Sequence, residues 1–444
     1  MHHLDTIFAL SSGHGRAGVA VIRISGPAAG RVLDALAAPC PQPRYAALRR
    51  LRHPHTGDIL DEALALWFPA PRSETGEDIA ELQVHGGTAV IRAVLDAIAV
   101  VDGCRMAGPG EFIRRAFENG RLDLTAVEGL ADLIDADTEA QRRQAVRQAG
   151  GALGRITDGW RTRLIEARAL VEAALDFSDE GDVAADALAK GRAQADILAG
   201  EMTAALTDAN RGEIIRDGLR VVLAGPPNVG KSSLLNALAR RDVAIVSPEA
   251  GTTRDVIEVR LDLGGYAIVL TDTAGLRGAN GPVEAEGIRR TLEQAQRADI
   301  VLWMVDATDP VWAIPDDLGA RPEDTIIVVN KCDLATPAMA HGAHSLSVQT
   351  GQGLDDLVGR LQDHVRAKLA VGSDGPAVIT QARHRHLLLR AVTALQRVLD
   401  DPAKPAEFQA EDLREAADAL GQIVGRIDVE DVLGQIFSRF CIGK

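Results

Sequence analysis

Two stretches of the chain carry apolar runs of strand length, and helical periodicity fills the rest. Near the start, Gly18 to Ile24, Ala63 to Phe68 and Ile79 to Val84 have the length and patterning of strands. Gly86-Gly87 then gives a turn before a helical stretch from Thr88. Short strands mixed with helices predict an α+β domain over residues 1–120. From Thr125 the period changes: Thr125-Ala126-Val127-Glu128 has the form of a capping box, and Leu130 and Ile134 continue a helical pattern. Trp160, Leu164, Ala167, Val171 and Leu175 fall on one helical stripe, Leu388, Val392, Leu395 and Leu399 on a second, and Leu413, Ala417, Leu420 and Val424 on a third. Between these helices lie Leu219–Ala224, Tyr266–Thr271, Ile300–Val305 and Thr325–Val329, apolar runs that read as buried strands. The predicted architecture is therefore multidomain. An all-α helical domain over 121–215 and 372–444 is interrupted by an inserted α/β domain over 216–371, an insertion that closely spaced domain termini permit.

The first of those strands runs into Gly225-Pro226-Pro227-Asn228-Val229-Gly230-Lys231-Ser232, and Ser233-Leu234-Leu235 opens a helix. Strand, glycine loop and helix form the context in which G-x-x-x-x-G-K-[ST] binds phosphate: successive N–H groups and the helix N-terminus face an anion. Lys231 would reach the β- and γ-phosphates and the Ser232 hydroxyl would ligate Mg²⁺. The second strand ends in Asp272-Thr273-Ala274-Gly275, where a carboxylate can hold the magnesium through water and a glycine N–H can sense the γ-phosphate. The fourth ends in Asn330-Lys331-Cys332-Asp333, which selects the base. The Asp333 carboxylate can accept from N1–H and the 2-amino group of guanine, and adenine offers no such donor pair. Asn330 would brace the loop and the Lys331 stem would cover the ring. These residues predict that the inserted α/β domain is a Ras-like guanine-nucleotide-binding (G) domain.

Water activation is less ordinary. Where Ras-like proteins place a glutamine, this chain has Leu276, which cannot hydrogen-bond. Either the domain is a slow switch or another group orients the water, with Arg277, Glu284 and Glu286 as nearby polar candidates. Asn228 adds a side-chain oxygen beside the phosphates. With the segment Ala250-Gly251-Thr252-Thr253-Arg254-Asp255 it could cage a monovalent cation that does the work of an arginine finger.

Composition narrows the setting. The chain has 444 residues, enough for two or three domains, and a net charge of −15, which argues mildly against a dedicated nucleic-acid binder. Cys40, Cys104, Cys332 and Cys441 stand far apart without zinc spacing, as in the reduced thiols of a cytoplasmic protein. No apolar run approaches the roughly 18 residues of a membrane span, and the N-terminus lacks the regions of a signal peptide.

Outside the nucleotide motifs stand Asp5-Thr6-Ile7, Arg23-Ile24-Ser25-Gly26, Thr75-Gly76-Glu77-Asp78, His85-Gly86-Gly87, Pro109-Gly110-Glu111-Phe112, Arg115-Ala116-Phe117, Leu122-Asp123-Leu124 and the terminal Phe440-Cys441-Ile442-Gly443-Lys444. With the nucleotide motifs, these make the chain resemble the MnmE (TrmE) family of tRNA modification GTPases over essentially its whole length. The resemblance implies a homodimer acting with the FAD-dependent partner GidA (MnmG) in a heterotetramer or larger assembly, the FAD lying only on the partner. The substrate of the complex would be tRNA, given a carboxymethylaminomethyl-type group at C5 of the wobble uridine. The one-carbon unit would come from 5,10-methylene- or 5-formyl-tetrahydrofolate, held in the N-terminal domain by Arg23, Glu81, Arg121 and Lys444. The family usually has lysine where Arg121 stands. Hydrolysis of GTP to GDP would be stimulated by K⁺ at Asn228, Ser247, Glu249 and Thr252, with Mg²⁺ at Ser232 and Thr253 and the water oriented by Glu284. The nucleotide contacts implied also include Val229, Gly230, Ser233, Gly251, Thr273, Ala274, Gly275 and the loop Ser347-Val348-Gln349, where the family has Ser-Ala-Arg.

Several residues carry two readings. Arg23 and Glu81 sit on strand faces opposite apolar neighbours, which suits a pocket wall or an ordinary solvated face. Arg142, Arg143, Arg147, Arg155, Arg161, Arg163 and Arg168 are either a solvated helix surface or a patch for tRNA phosphates or an acidic partner. Cys441 fits a prenylation box poorly, since glycine and lysine follow it. It is either a tail cysteine without a role or, as the resemblance implies, a catalytic candidate. The whole chain is either this modification enzyme or a regulatory or ribosome-assembly GTPase switch.

Overall fold

The computed structural model describes residues 5–13, 15–176, 181–241, 243–245, 258–272, 296, 298–315, 322–335, 342–370, 377–401, 403–427, 430–438 and 440–443. The chain divides into two compact units: residues 1–131, 148–194 and 401–444, and residues 132–147 and 195–400.

In the first unit, β1 (Thr6–Leu10), β2 (Ala17–Ser25), β3 (Ala47–Arg52), β4 (Ile59–Phe68), β5 (Ile79–Gly86) and β6 (Cys104–Met106) form one sheet in the order β3-β4-β5-β2-β1-β6. All neighbours are antiparallel except β1 and β6. Side chains alternate across a strand, so Ala20, Ile22 and Ile24 of β2 share one face. There they join Phe8, Leu82 and Val84 in a core with Val32 and Leu33 of α1 (Ala29–Leu36) and Ile98 of α2 (Thr88–Ala99). Arg23 and Ser25 point to the other face, and the three predicted strands appear with extended ends. The sequence reading passed over β3, whose Ala-Leu-Arg-Arg-Leu-Arg pattern is that of an edge strand with exposed arginines.

The quoted N-terminal motifs converge on one buried guanidinium. Arg115 of α3 (Glu111–Glu118) is 1% exposed. It donates to the Asp5 backbone carbonyl at 3.0 Å, the Asp5 carboxylate at 2.9 Å, the Glu77 carboxylate at 3.1 Å and Glu111 at 3.3 Å. Ser25 donates to the same Glu77 carboxylate at 2.8 Å, and Arg105 bridges Asp5 and Glu111. Burial pushes the Asp5 and Glu111 carboxyls up, but hydrogen bonds and charge from Arg105 and Arg115 outweigh it and hold both below their ordinary values. The motifs Asp5-Thr6, Ser25-Gly26, Thr75-Gly76-Glu77, Gly110-Glu111 and Arg115 are thus parts of one ionic knot.

The capping-box reading at Thr125 needs correction. Helix α4 spans Leu124–Ile134, so Thr125 lies inside it. The cap is Asp123, whose carboxylate accepts from the Ala126 N–H at 2.9 Å and the Thr125 hydroxyl at 2.6 Å. A carboxylate next to the helix N-terminus also gains from the positive end of the macrodipole. Helix α5 follows at Glu139–Ala149, and α6 (Ala152–Asp176) buries Trp160, Leu164, Ala167 and Val171 as the stripe predicted, with Ala174 rather than Leu175 as its last buried member; Leu153 is buried as well.

The later helices are α7 (Gly181–Thr207), α8 (Ala209–Asp217), α9 (Lys231–Ala239), α10 (Leu354–Ala370), α11 (Ala382–Asp400), α12 (Ala406–Val424) and α13 (Glu430–Ser438). Helix α12 packs along α6 and buries Leu413, Ala417, Leu420 and Val424. Phe437 of α13 and the following Phe440 cluster with Ile113, Leu124 and Val127.

The second unit contains β7 (Leu219–Ala224), β8 (Glu258–Leu263), β9 (Tyr266–Asp272), β10 (Ile300–Asp306), β11 (Thr325–Asn330) and β12 (His344–Ser345), in the order β12-β11-β10-β7-β9-β8. Every pair is parallel except β8 with β9. Central parallel strands are covered on both faces, and β10 is buried from Ile300 to Val305. The β7, β9, β10 and β11 strands all end on the same side, where loops of an α/β sheet bind ligands.

Replacing Arg115 by methionine leaves three carboxylates around a hole, and removing one member of a buried ionic set costs about 3–5 kcal/mol. Urea unfolding should report a loss of that size. Because the folded pKa values of Asp5 and Glu111 are depressed, their contribution is present above the ordinary carboxylate pKa of about 4 and is lost as pH falls through the folded values. Stability should therefore fall more steeply with acid in the parent chain than in Arg115→Met. Equal pH slopes would place the linkage elsewhere.

Candidate functional site

The phosphate loop leaves β7 at Gly225 and returns as α9. Its backbone takes left-handed φ at Asn228 (62°) and Gly230 (103°). Asparagine tolerates that region and glycine is at home in it. Gly230 is required for space as well, since a Cβ there would stand 2.4 Å from the Asn330 Nδ2. Lys231 is buried, and its Nζ donates to the carbonyls of Gly225 and Pro226, each at 2.8 Å. The ammonium is thus curled over the loop whose N–H groups would face an anion. Ser232 donates from its hydroxyl to the buried Asp272 carboxylate at the end of β9. A hydroxyl and a carboxylate in contact at the mouth of the loop are hard oxygen donors, the set that suits magnesium. Val229 is buried, whereas Asn228 and Ser233 are exposed beside the loop.

Asn330, 3% exposed, joins the two halves of the site. Its Nδ2 donates to the Val229 carbonyl at 2.8 Å, and its Oδ1 accepts from the Val348 N–H at 3.1 Å. One amide therefore fixes the phosphate loop against the loop after β12, and both its polar atoms are used. Ser347 is buried and accepts from the Thr350 N–H at 3.2 Å, which holds that loop; Val348 is half-buried and Gln349 exposed. Lys331 has φ 66° and pairs with Asp306 at 2.5 Å. Asp333, two residues on, is exposed at the same end of the sheet. Ser247, Glu249, Gly251, Thr252, Thr253, Thr273, Ala274, Gly275 and Glu284 lie outside the described residues, as do Leu276, Arg277, Glu286 and Lys444.

A second constellation lies on the sheet of the first unit. Arg23 and Glu81 are direct cross-strand partners on β2 and β5. Arg23 donates to Glu81 at 3.0 Å and pairs with Glu74 at 2.6 Å, with side-chain exposures of 19% for Arg23 and 16% for Glu81. They are neither fully solvated nor sealed, which lies between a pocket wall and an ordinary solvated face. Arg121 is exposed and lays its stem against Gly76, in the turn that also carries Glu74.

The tail docks on the same unit. Pro109 bridges Ile442, the Gly110 N–H approaches the Cys441 carbonyl at 3.5 Å, and Ser11 donates to the Gly443 carbonyl at 2.7 Å. A Cβ at Gly443 would fall 1.9 Å from the Leu10 carbonyl, so only glycine permits this approach. Leu10 follows Ala9, the cross-strand partner of Arg23, and Cys441 is exposed.

Comparison with known proteins adds the family. A model described as "MnmE helical domain" matches residues 124–441, and one described as "GTP-binding protein TrmE N-terminus" matches residues 6–121. A protein named tRNA modification GTPase MnmE from Rhodopseudomonas palustris is 51% identical, covering 100% of both chains. Another of that name from Methylorubrum populi is 54% identical over 99% of this chain and 98% of its own. The chain belongs to the MnmE family of tRNA modification GTPases. The expected family and enzyme class are thereby borne out, as is the fold class of an α+β N-terminal domain, a helical domain and a G domain. A segment also resembles the G domain of the T. maritima FeoB iron transporter, at 26% identity over 34% of this chain and 98% of that one, with a TM-score of 0.26.

Within this MnmE-family chain, the sequence reading missed Asp306, Glu74 and the ionic knot of Arg115. Asp306-Ala307-Thr308 after an apolar run has the form of an Asx-turn, a signal that could have found the first. The basic stretch sits on helices, and its first two members, Arg142 and Arg143, both bind Glu139 at 2.7 Å. Those hydrogen bonds bring the Glu139 pKa down to about 2. That pairing favours the solvated-helix reading for these two arginines. Among the described residues no helix is long and apolar enough to cross a membrane.

Asn330→Ala should leave the Val229 carbonyl and the Val348 N–H without their partner. At about 1–3 kcal/mol for an unsatisfied buried group, GDP and GTP affinity should drop roughly ten- to a hundredfold. Titration with a fluorescent GDP measures it, and an unchanged Kd would show that the two loops hold together without the amide.

Proposed function

We propose that the chain is a K⁺-stimulated GTPase that acts with an FAD-dependent partner of the GidA/MnmG type to form the carboxymethylaminomethyl-type group at C5 of the wobble uridine of certain tRNAs. It would work in the cytoplasm as a homodimer, within a heterotetramer or larger assembly. Residues 1–120 form the tetrahydrofolate-binding and dimerisation domain, 121–215 with 372–444 the helical domain, and 216–371 the inserted G domain.

Support for the nucleotide reading comes above all from one observation: the Ser232–Asp272 contact and the Asn330 bridge stand together at the carboxyl ends of β7, β9 and β11. Lys231 neutralises phosphate charge, and the N-terminus of α9 adds its dipole. Asp333 accepts from the guanine edge, and Ser347, Val348 and Gln349 close the base side. Ser232 and Thr253 would hold magnesium, whose charge when bound offsets that of the β- and γ-phosphates. Asn228, Ser247, Glu249 and Thr252 would hold potassium, and Glu284 positions the attacking water that Leu276 cannot. Val229, Gly230, Ser233, Gly251, Thr273, Ala274 and Gly275 complete the nucleotide contacts.

The folate reading is supported by the half-buried Arg23–Glu81 pair, the stem of Arg121 beside Gly76, and a tail anchored at Gly443 just before Lys444. Two arginines and a lysine suit the carboxylates of a folate, and a glutamate suits its ring N–H donors. Cys441 is a candidate for covalent assistance.

Nucleoside analysis of tRNA from cells lacking this chain should show wobble uridines without the C5 substituent, restored by the parent gene and not by Asp333→Asn. An unaltered nucleoside pattern would remove the modification reading. Exchange of K⁺ for Na⁺ at constant ionic strength should slow GTP hydrolysis by roughly tenfold or more, as loss of a charge at the transition state does. Indifference to the cation would leave Asn228 an ordinary loop residue.

A further inference from the structure

We propose that Asp306 is a positioning residue for nucleotide binding, its Oδ2 holding the Lys331 ammonium so that the lysine stem is set along the base side of the site. The inference rests on the guanine-site reading above and adds a residue outside its motifs. Asp306 is the last residue of β10 and the register partner of Asn330 on the parallel β11. Its carboxylate is divided between two tasks. Oδ1 accepts from the Thr308 N–H at 2.9 Å and the Thr308 hydroxyl at 2.7 Å, which closes an Asx-type turn. Oδ2 takes the Lys331 Nζ at 2.5 Å. Burial pushes the Asp306 carboxyl up, but the hydrogen bonds from Lys331 and Thr308 outweigh it and keep the group below its ordinary value, hence ionised.

Lys331 needs such a tether. Its backbone is left-handed, a region lysine seldom adopts, and a free lysine side chain has many rotamers to lose. Around it the backbone is held by the Cys332 N–H on the Leu346 carbonyl at 3.2 Å and the Leu334 N–H on the Lys331 carbonyl at 3.0 Å. Those bonds fix where the side chain starts, and the ion pair fixes where it ends. A stem pinned at both ends can lie against a purine ring without the entropy cost of ordering it on binding. The Ala307 N–H on the Asn330 carbonyl at 2.9 Å ties the turn to the same strand, so the tether and the base loop keep one spacing.

Asp306→Asn separates the two tasks. The amide oxygen can still accept from Thr308, but the amide nitrogen cannot accept from an ammonium. With the full-length chain and fluorescent GDP, this variant should bind about five- to twentyfold more weakly, chiefly through faster dissociation. At saturating GTP, kcat should stay within about twofold, so that KM alone moves. Lys331→Met should lose a similar amount, and Asp306→Asn placed on that background should add nothing further. The preference for guanine over xanthine diphosphate should stay as in the parent, unlike in Asp333→Asn. Asp306→Ser, whose hydroxyl can also serve the turn, repeats the readings if the asparagine variant does not fold. Parental GDP affinity in Asp306→Asn overturns the proposal, as does an undiminished loss in the Lys331→Met background. Failure of the parent chain itself to bind GDP would instead bring down the guanine-site reading, and this inference with it.

Discussion

The Asn330 amide has a fixed number of hydrogen bonds to give, and in this chain one goes to each side of a ligand site. Its nitrogen holds the Val229 carbonyl of the phosphate loop and its oxygen holds the Val348 N–H of the base-side loop. A glycine loop is conformationally costly to order, so a loop with left-handed turns at Asn228 and Gly230 needs outside support. The support comes from the strand two positions away in the sheet, through a side chain too buried to move independently of the core. On the proposed nucleotide reading, phosphate and base would be recognised by loops that share one anchor. That shared anchor also explains why Gly230 has no room for a methyl group, since the space belongs to the amide.

The first unit solves a similar problem with charge instead of an amide. Segments from Asp5, Glu77 and Glu111, far apart in the chain, meet at Arg115 because a planar guanidinium offers several donors in one plane. Ser25 and Thr75 extend the set with a hydroxyl contact at 2.7 Å. Much of what makes the N-terminal motifs recognisable is therefore scaffold, and a remainder on the same sheet face stays outside it. Arg23 and Glu81 belong to that remainder, half-buried and paired across strands rather than drawn into the knot.

Legibility in the sequence followed the physics of each element. Strands β7, β9, β10 and β11 were readable because parallel strands covered on both faces are continuous apolar runs, and their bounds agree with the runs to within a residue. The phosphate loop and Asn330-Lys331-Cys332-Asp333 were readable because their spacing is dictated by a ligand. Strand β3 was hidden by arginines at exposed edge positions, and β6 by being three residues long. The true cap of α4, Asp123, was hidden because Thr125-Ala126-Val127-Glu128 mimics a capping box two residues too late. Asp306 and Arg115 were out of reach for a different reason: each matters through partners that only the folded chain brings near.

That last distinction bears on where specificity is stored. A motif records contacts made along a short stretch of chain, while a tether such as Asp306 to Lys331 or a knot such as Arg115 records contacts between stretches. Replacing one motif residue removes a contact to ligand directly. Replacing a tether leaves every ligand contact chemically possible but raises the entropy lost in making it. In a chain of net charge −15, a cation held in place beside an anionic ligand is also worth more than one left to choose among neighbouring carboxylates. The carboxylates at the ends of β9 and β10 each take a partner within the site: the Ser232 hydroxyl satisfies a hydrogen bond of Asp272, and the Lys331 ammonium offsets the charge of Asp306.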